Sequence, residues 1–363
     1  MKPAQPTKRS AQAGIALVIV MVVVMVLGVI AGGFAYSMRV EMRLARHSNN
    51  DADLEWMGRS GAEMAKFVLG QKERIPAEAG VEALNQKWAG GSGSTNSVLE
   101  DISLENIQIG AGKMSIKIVD NERRFNINTA DQQLIQQALI LVGVDAAEFP
   151  TIVNSIEDWR DRDNNARPSG AETDYYMTMS PPYVAKNGWF DDISDLLFVK
   201  GMTPEIYWGA SSSNVPPSQF GRIGSGLLPS ANRQAVGVGL VDLFTPISSG
   251  KLNINTASAM ALQMIPGVDQ NTANAIIQHR AGPDGIEGTT DDMVFRNGGQ
   301  LAQIGGFNPQ ALQPVLRYID VRSQTFEATI DAELSGTRRV FSVVLRRKAN
   351  PPQDFEVIRF TWK

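Results

Sequence analysis

The residues most suited to chemistry form an acidic stretch near the middle of the chain. Four of its side chains carry oxygen atoms at positions 1, 3, 5 and 12 of a common frame: Asp161, Asp163, Asn165 and Glu172. This spacing is typical of an EF-hand calcium loop, whose last residue ligates through both carboxylate oxygens. Ala166 stands where that loop needs glycine, so we predict a calcium site without an EF-hand fold. Asp158 and Asp174 can add ligands, and a solvated acidic loop is the alternative.

A second acidic stretch lies in the C-terminal half of the chain. Two glycines in it allow backbone carbonyls to turn toward an ion, and the flanking side chains are carboxylates: Asp284, Glu287, Asp291 and Asp292. Carboxylate and carbonyl oxygens are the ligands that calcium prefers. We predict a second calcium loop, with a plain turn as the alternative because the spacing is less diagnostic.

The composition argues against catalysis and against nucleic acid as a partner. The chain has no cysteine and only two histidines, His47 and His279, neither with a serine or aspartate partner in a recognisable motif. The net charge is −4, and it becomes −7 once the three N-terminal cations are lost. Binding to nucleic acid depends on neutralising phosphates, which an acidic protein does poorly. We therefore predict a protein that is not an enzyme and does not bind nucleic acid.

A long apolar segment near the N-terminus indicates that these sites are tethered to a membrane. No charged residue occurs between Arg9 and Arg39. A helix over residues 15–38, at ~1.5 Å per residue, spans a hydrocarbon core of ~30 Å. Arg39, Arg43 and Arg46 directly follow it, so the positive-inside rule does not decide the orientation.

A short basic leader precedes this helix and ends in Gly14, directly before Ile15. A secretory signal peptide has a shorter apolar run and carries its small-residue cleavage site after that run. Here the small residues come first, and cleavage between Gly14 and Ile15 would keep the helix. The arrangement is similar to the signals of type IV pilins and pseudopilins, with a plain single-pass anchor as the alternative.

Strand-like segments enclose a helical middle. Alternating apolar and polar residues predict two strands before it and three after it: residues 101–109, 113–119, 326–334, 339–346 and 355–362. Apolar residues at three- and four-residue spacing between Leu54 and Leu69 predict that the N-terminal helix continues beyond the membrane. We expect an α+β protein.

The helical middle contains an internal duplication. The sequence Asn-Ile-Asn-Thr-Ala at residues 126–130 recurs at 253–257, and the repeats extend over about 125–176 and 252–297. They resemble helix-hairpin-helix motifs, with Thr129 and Thr256 as predicted helix N-caps. DNA-binding versions offer the backbone N–H groups of a Gly-x-Gly hairpin to a phosphate. Asp145 and Asp269 replace the second glycine and would repel a phosphate, so we predict a protein scaffold.

The order of these features resembles the type II secretion minor pseudopilin K family along almost the whole chain. The matching segments are Gly14 with the Ile-Ala-Leu-Val run, both Asn-Ile-Asn-Thr-Ala copies, and residues 157–161, 170–176, 182–183, 190–197 and 199–205. The resemblance implies a pilin-type helix, a small antiparallel β-sheet domain and a large α-helical domain inserted between its strands. The implied divisions are a leader (1–14), a transmembrane helix (15–38), the helix continuation and first strands (39–122), the inserted α-domain (123–320) and the last strands (321–363).

The resemblance also implies where the protein works. Members of the family sit at the tip of a short periplasmic pseudopilus anchored in the bacterial inner membrane, where they initiate or cap assembly and support protein export. The implied partners are other minor pseudopilins, the major pseudopilin, the inner-membrane assembly platform and a prepilin peptidase, with methylation of the new N-terminus. Family members bind calcium in the α-domain, which here falls on Asp161–Asp174.

One residue of the apolar helix supports a tip position. Most pilins carry glutamate as the fifth residue after cleavage, where it neutralises the N-terminal amine of a neighbouring subunit inside the apolar filament core. Counting from Ile15, the fifth residue here is Ile19. A first subunit has no amine ahead of it, so it needs no such glutamate.

Two other functional classes stay open at this point. A membrane-tethered DNA-uptake protein also carries helix-hairpin-helix repeats after an N-terminal anchor, although the acidic charge argues against it. A calcium-dependent periplasmic enzyme would need a cleft with a titratable pair, which no motif in the sequence indicates.

Overall fold

The structure is a computed structural model that describes residues 12–95, 97–209 and 237–362. Residues 1–11, with the basic part of the predicted leader, lie outside this range. The helices are α1 (Gln12–Lys72), α2 (Gln132–Val142), α3 (Phe149–Arg160), α4 (Thr173–Tyr176), α5 (Pro204–Trp208), α6 (Leu240–Leu243), α7 (Ala259–Gln263), α8 (Gln270–Arg280) and α9 (Leu312–Val315). The strands are β1 (Ile107–Ile109), β2 (Gly112–Asp120), β3 (Phe125–Asn126), β4 (Phe244–Thr245), β5 (Leu252–Asn253), β6 (Ile319–Asp320), β7 (Thr325–Leu334), β8 (Thr337–Arg347) and β9 (Phe355–Trp362).

Helix α1 is continuous over 61 residues and has two different halves. In the first half, Ala16–Met42 is long and apolar enough to cross a membrane, and its residues are exposed rather than packed within the protein. In the second half, an apolar stripe that includes Leu54, Ala65 and Leu69 is fully buried. The helix thus continues past the apolar segment into the folded body, as the spacing predicts.

The second half of α1 packs on a five-stranded sheet with the order β1-β2-β7-β8-β9, in which every neighbouring pair is antiparallel. Gly58 and Gly61 allow the close approach, because a Cβ on either would lie 2.7 Å from the nearest atom of Phe341 or Ile330. The strands after the helical middle agree with the predicted ranges. The strand predicted at 101–109 is limited to β1, because the Ser103 hydroxyl binds the backbone of Glu105 and closes a turn.

The helical domain is inserted between β2 and β7, which are neighbours in the sheet although about 200 residues of chain separate them. It has its own hydrophobic core, distinct from the core between α1 and the sheet. Two short parallel pairs, β3 with β4 and β5 with β6, lie within it. The inserted architecture therefore agrees with the expected fold class.

Each Asn-Ile-Asn-Thr-Ala copy is hydrogen-bonded to the chain that follows the acidic loop of its own repeat. Asn128 Oδ1 accepts the Phe190 N–H at 2.7 Å and its amide donates to the Phe190 carbonyl at 3.0 Å. Asn255 makes the same pair with Phe295, at 2.9 and 3.0 Å. Phe190 and Phe295 follow the first and second acidic stretch, so the duplicated motif returns the chain after each loop.

The predicted helix N-caps were wrong by two residues in both repeats. Asp131 caps α2 by accepting the Leu134 N–H at 2.8 Å, and Ser258 caps α7 by accepting the Ala261 N–H at 3.2 Å. Thr256 instead donates its hydroxyl to Asp120 at 2.6 Å. Thr129 likewise lies in the turn that precedes the helix.

A buried polar network joins the C-terminal end of α1 to the inserted domain. Glu82 accepts hydrogen bonds from Lys72 at 2.5 Å and from Arg347 at 2.6 Å. Asn253, from the second repeat, donates to the Glu82 carbonyl at 3.1 Å and to Asp120 at 3.0 Å. All five residues are at least nine-tenths buried, so the two domains share one satisfied network.

Candidate functional site

Three carboxylates come together where α3 ends and the first acidic loop folds back. Asp158 lies in the last turn of α3, Asp161 follows this helix directly, and Glu172 directly precedes α4. One carboxylate oxygen from each lies within 4.8 Å of the others. Asp158 is fully buried and Glu172 is 4% exposed, so the loop closes over the group.

The Asp158 side chain binds the backbone of the acidic loop. Its carboxylate accepts the Ala171 N–H at 2.9 Å and the Arg167 N–H at 3.1 Å. The Arg167 guanidinium also donates to Asp158 at 2.7 Å and pairs with Asp161. Because Asp158 is bonded to the middle of the loop at Arg167 and to its C-terminal end at Ala171, it holds the loop that carries Asp161 and Glu172.

Unlike Asp158, Glu172 has a carboxylate that makes no hydrogen bonds. Neither of its carboxylate oxygens has a hydrogen-bond partner, and Asp161 Oδ1 also has none. Burial, and after it the nearby negative charges of Asp158, Asp161 and Asp163, raise the pKa of Glu172 to about 7. Buried oxygens without donors are costly, and a divalent cation would satisfy them. The donor set of hard carboxylate oxygens fits calcium.

The other side chains predicted for this site lie at its margin. Asp163, Asn165 and Asp174 are exposed. Asp163 Oδ1 accepts the Asn165 N–H at 2.8 Å, which closes a turn at the tip of the loop. Asp158 is the central residue of the site, although the spacing predicted it only as an additional ligand. Its position one helical turn before Asp161, on the buried face of α3, was the available signal.

The geometry of the second acidic loop favours a plain turn. Asp291 Oδ2 accepts the Asp284 N–H at 3.0 Å, and Asp292 Oδ2 accepts the Gly288 N–H at 2.9 Å. Hydrogen bonds from the Thr289 hydroxyl and the Asp284 N–H lower the pKa of Asp291. Glu287 pairs with Arg280. Within the part of the chain that the structure describes, Asp284, Asp291 and Asp292 do not form a three-carboxylate group.

The two helix-hairpin-helix turns end in capping carboxylates. Asp269 caps α8 by accepting the Thr272 N–H at 2.8 Å. Asp145 accepts the Ala147 N–H at 2.9 Å at the corresponding place in the first repeat. The carboxylate thus occupies the helix N-terminus that a DNA-binding version offers to a phosphate. This geometry disfavours the DNA-uptake alternative.

The predicted cleavage site lies at the start of α1. Gly14 and Ile15 have helical backbone. Ile19 follows within the same helix and is 57% exposed. The helix therefore runs without interruption through the predicted cleavage site into the apolar segment.

Comparisons with known proteins agree with this architecture. A family model described as type II secretion system (T2SS), protein K matches residues 112–210, and a helix-hairpin-helix model matches residues 248–319. Type II secretion system protein K of Aeromonas hydrophila shares 23% identity over 368 residues, covering 93% of this chain and 94% of that protein. The protein of that name from Pseudomonas aeruginosa shares 23% identity over 300 residues, covering 78% and 76%.

A solved structure supports the fold. A chain from the crystal structure of the GspK-GspI-GspJ complex of enterotoxigenic Escherichia coli has a TM-score of 0.63 and 16% identity, with 88% of this chain and 99% of that chain covered. The long N-terminal helix, whose second half packs on an antiparallel sheet, together with these matches, resembles the pseudopilins of type II secretion systems. Over most of its length, the chain is similar to the type II secretion system protein K family.

Proposed function

We propose that this protein is the minor pseudopilin at the tip of the pseudopilus, where it initiates or caps assembly and supports export across the outer membrane. The observation that carries the proposal is the position of the inserted α-domain at the end of α1 farthest from the apolar segment. In this account the protein has a structural role and no catalytic one.

Contacts along α1 establish that position. Strand β8 runs beside α1 in the same direction, because Arg339 contacts Asp51 at 2.7 Å and Arg347 contacts Glu73 at 2.8 Å. The chain enters the α-domain after β2 and leaves it before β7. Both junctions lie at the Arg347 end of the sheet, where Phe326 pairs with Asp120 and with Leu345. A domain mounted beyond this end obstructs addition of a further subunit above it.

The apolar helix supports the same orientation. Ile19 provides no carboxylate for the N-terminal amine of a subunit ahead of it, so the protein is suited to the first place and poorly suited to an interior one. We propose that a prepilin peptidase cleaves between Gly14 and Ile15, that the new N-terminus is methylated, and that the body lies in the periplasm.

Support for the partners comes from the solved structure that this chain resembles, which is a complex of GspK with GspI and GspJ. We infer that the corresponding minor pseudopilins are partners here, and that the major pseudopilin and the assembly platform join below them. Trp56 and Phe67 lie on the face of α1 turned away from the sheet and are 68% and 45% exposed. These aromatic side chains offer apolar contacts to the helices of neighbouring subunits.

We also propose that the α-domain binds calcium. Asp158, Asp161 and Glu172 would hold it, and the ion would neutralise a buried group of negative charges. Support comes from the unpartnered oxygens of Asp161 and Glu172. The role assigned to the ion is to stabilise the fold of the first acidic loop.

Deletion of the gene tests the tip role. We expect secretion of the exported proteins to fall and the number or length of pseudopili to change, and we expect the wild-type gene to restore both. A Gly14→Trp gene should fail to restore them, because the uncleaved leader keeps the subunit out of the filament. Normal secretion with unchanged pseudopili in the deletion strain would overturn the proposal.

A further inference from the structure

A fourth oxygen, on a side chain that contacts the first acidic loop, also has no hydrogen-bond partner. It is Asn187 Oδ1, which is buried and unpartnered like the oxygens of Glu172 and Asp161 Oδ1. Asn187 belongs to the segment that returns the chain after the acidic loop. Its φ of 47° lies in the left-handed region, which asparagine adopts more readily than most residues.

Three hydrogen bonds place this segment around the carboxylates. The Gly188 N–H donates to the Trp159 carbonyl at 3.2 Å, next to Asp158. The Ala185 N–H donates to the Thr173 hydroxyl at 3.3 Å, next to Glu172. Asn187 Nδ2 donates to the Asp163 carbonyl at 2.6 Å, two residues after Asp161. The segment 185–188 is therefore bonded to residues that lie one or two positions from each of the three carboxylates.

The orientation of the Asn187 amide follows from its donors. Nδ2 donates to the Asp163 carbonyl and, at 2.8 Å, to Asn164 Oδ1. Since the Asp163 carbonyl can only accept, the nitrogen must face residues 163 and 164 at the tip of the loop, and the oxygen must face the opposite way from these two residues. An amide oxygen is a neutral hard ligand, and calcium takes six to eight oxygens. Both oxygens of Asp158 already accept hydrogen bonds, so the three carboxylates leave room for a further ligand.

We propose that Asn187 Oδ1 is a ligand of the calcium ion held by Asp158, Asp161 and Glu172. This inference rests on the proposed calcium site and extends it across the chain. The ion would fasten segment 185–190 to the acidic loop. Phe190 in turn pairs with Asn128, so calcium and the first Asn-Ile-Asn-Thr-Ala copy would hold the same segment from both sides.

Two substitutions distinguish binding of the ion by Asn187 Oδ1 from hydrogen bonding of the Asn187 amide to the loop, which we call bracing. Asn187→Asp keeps an oxygen for the ion but loses the N–H donors to the loop, whereas Asn187→Ala loses both. We expect Asn187→Ala to weaken calcium binding about tenfold or more, and Asn187→Asp to bind calcium within about threefold of the wild type. If Asn187 only braces the loop, Asn187→Asp should be as weak as Asn187→Ala or weaker, because its carboxylate would face the Asp163 carbonyl.

Calorimetric titration of the full-length protein in detergent micelles with calcium measures these affinities. Asn164→Ala is the matched control, since it removes one brace and keeps Asn187 Oδ1, and it should cost less than Asn187→Ala. Calcium should also slow hydrogen exchange over residues 185–190 in the wild type and in Asn187→Asp, but not in Asn187→Ala. A wild type that binds calcium only as tightly as Asn187→Ala overturns this inference alone, whereas a wild type that does not bind calcium overturns the calcium site with it.

Discussion

Replacing Glu172 with glutamine should have opposite effects on stability with and without calcium. Without calcium, the wild type buries a carboxylate that no donor satisfies and that lies near the negative charges of Asp158 and Asp161. Glu172→Gln removes that charge while keeping the shape of the side chain. The calcium-free variant should therefore be more stable than the calcium-free wild type.

The size of this effect follows from the pKa of Glu172. In the folded protein the pKa is raised from 4.5 to about 7, so the ionised form opposes folding. The cost is absent below pH 4.5, grows as the pH rises, and is complete above pH 7. One pKa unit corresponds to about 1.4 kcal/mol, and allowing for relaxation of the loop we expect about 1–3 kcal/mol at pH 8. This corresponds to a rise in Tm of roughly 2–4 °C per kcal/mol.

Calcium should reverse the order of the two proteins. At 100 times its Kd, an ion that binds only the folded state adds about 2.7 kcal/mol to the wild type. Glutamine supplies one neutral oxygen in place of a carboxylate, so the variant should gain much less. Thermal unfolding of the full-length protein at pH 8, with chelator and with calcium, measures both effects. Asp174→Asn, an exposed change of the same charge, should show neither.

Two outcomes would refute this reasoning. One is a Glu172→Gln protein that melts below the wild type in chelator at pH 8, which would mean that the carboxylate has stabilising partners. The other is an equal rise in Tm on calcium addition for the two proteins. At pH 4.5 the calcium-free proteins should melt together, because Glu172 is then protonated in the folded state.

Three further changes probe other parts of the molecule. Gly14→Trp should leave the full-length chain in membranes, and N-terminal sequencing that still finds a mature start at Ile15 would contradict the assigned processing site. Gly61→Val should lower the free energy of unfolding by about 1–3 kcal/mol, because its Cβ would lie 2.7 Å from Ile330. Gly80→Ala is the control: its Cβ would meet no neighbour, so it should show only the cost of placing alanine at a φ of +78°. Asn255→Ala should cost about 1–3 kcal/mol in denaturant unfolding, since it leaves the N–H and carbonyl of Phe295 without partners.

Periodicity predicted the scaffold because the scaffold depends on it. The alternation of Met114, Ile116 and Ile118 places these side chains on the face that packs against α1, and the structure buries all three. The spacing between Leu54 and Leu69 gives the complementary face of the helix. The repeated Asn-Ile-Asn-Thr-Ala sequence also indicated a duplication, and each copy uses its second asparagine in the same way.

The contacts that define the candidate site are tertiary, and spacing along the chain did not supply them. A frame of positions counted from Asp161 included the exposed Asp163 and Asn165 and gave Asp158 a minor role. The burial of Asp158 depends on how α3 packs, and the approach of Asn187 depends on the return of the chain through Phe190. The capping residues were misplaced for a similar reason, since threonine and aspartate are both good caps and the turn geometry selects between them.

The position of this protein within the filament is the central claim, and a single label tests it most directly. The chain has no cysteine, so Ala302→Cys places one thiol on an exposed residue of the α-domain. Pseudopili carrying this variant, labelled with maleimide gold, would be viewed by electron microscopy. The account predicts one gold particle per filament, at one end. Gold distributed along the shafts, at more than one particle per filament, would contradict it.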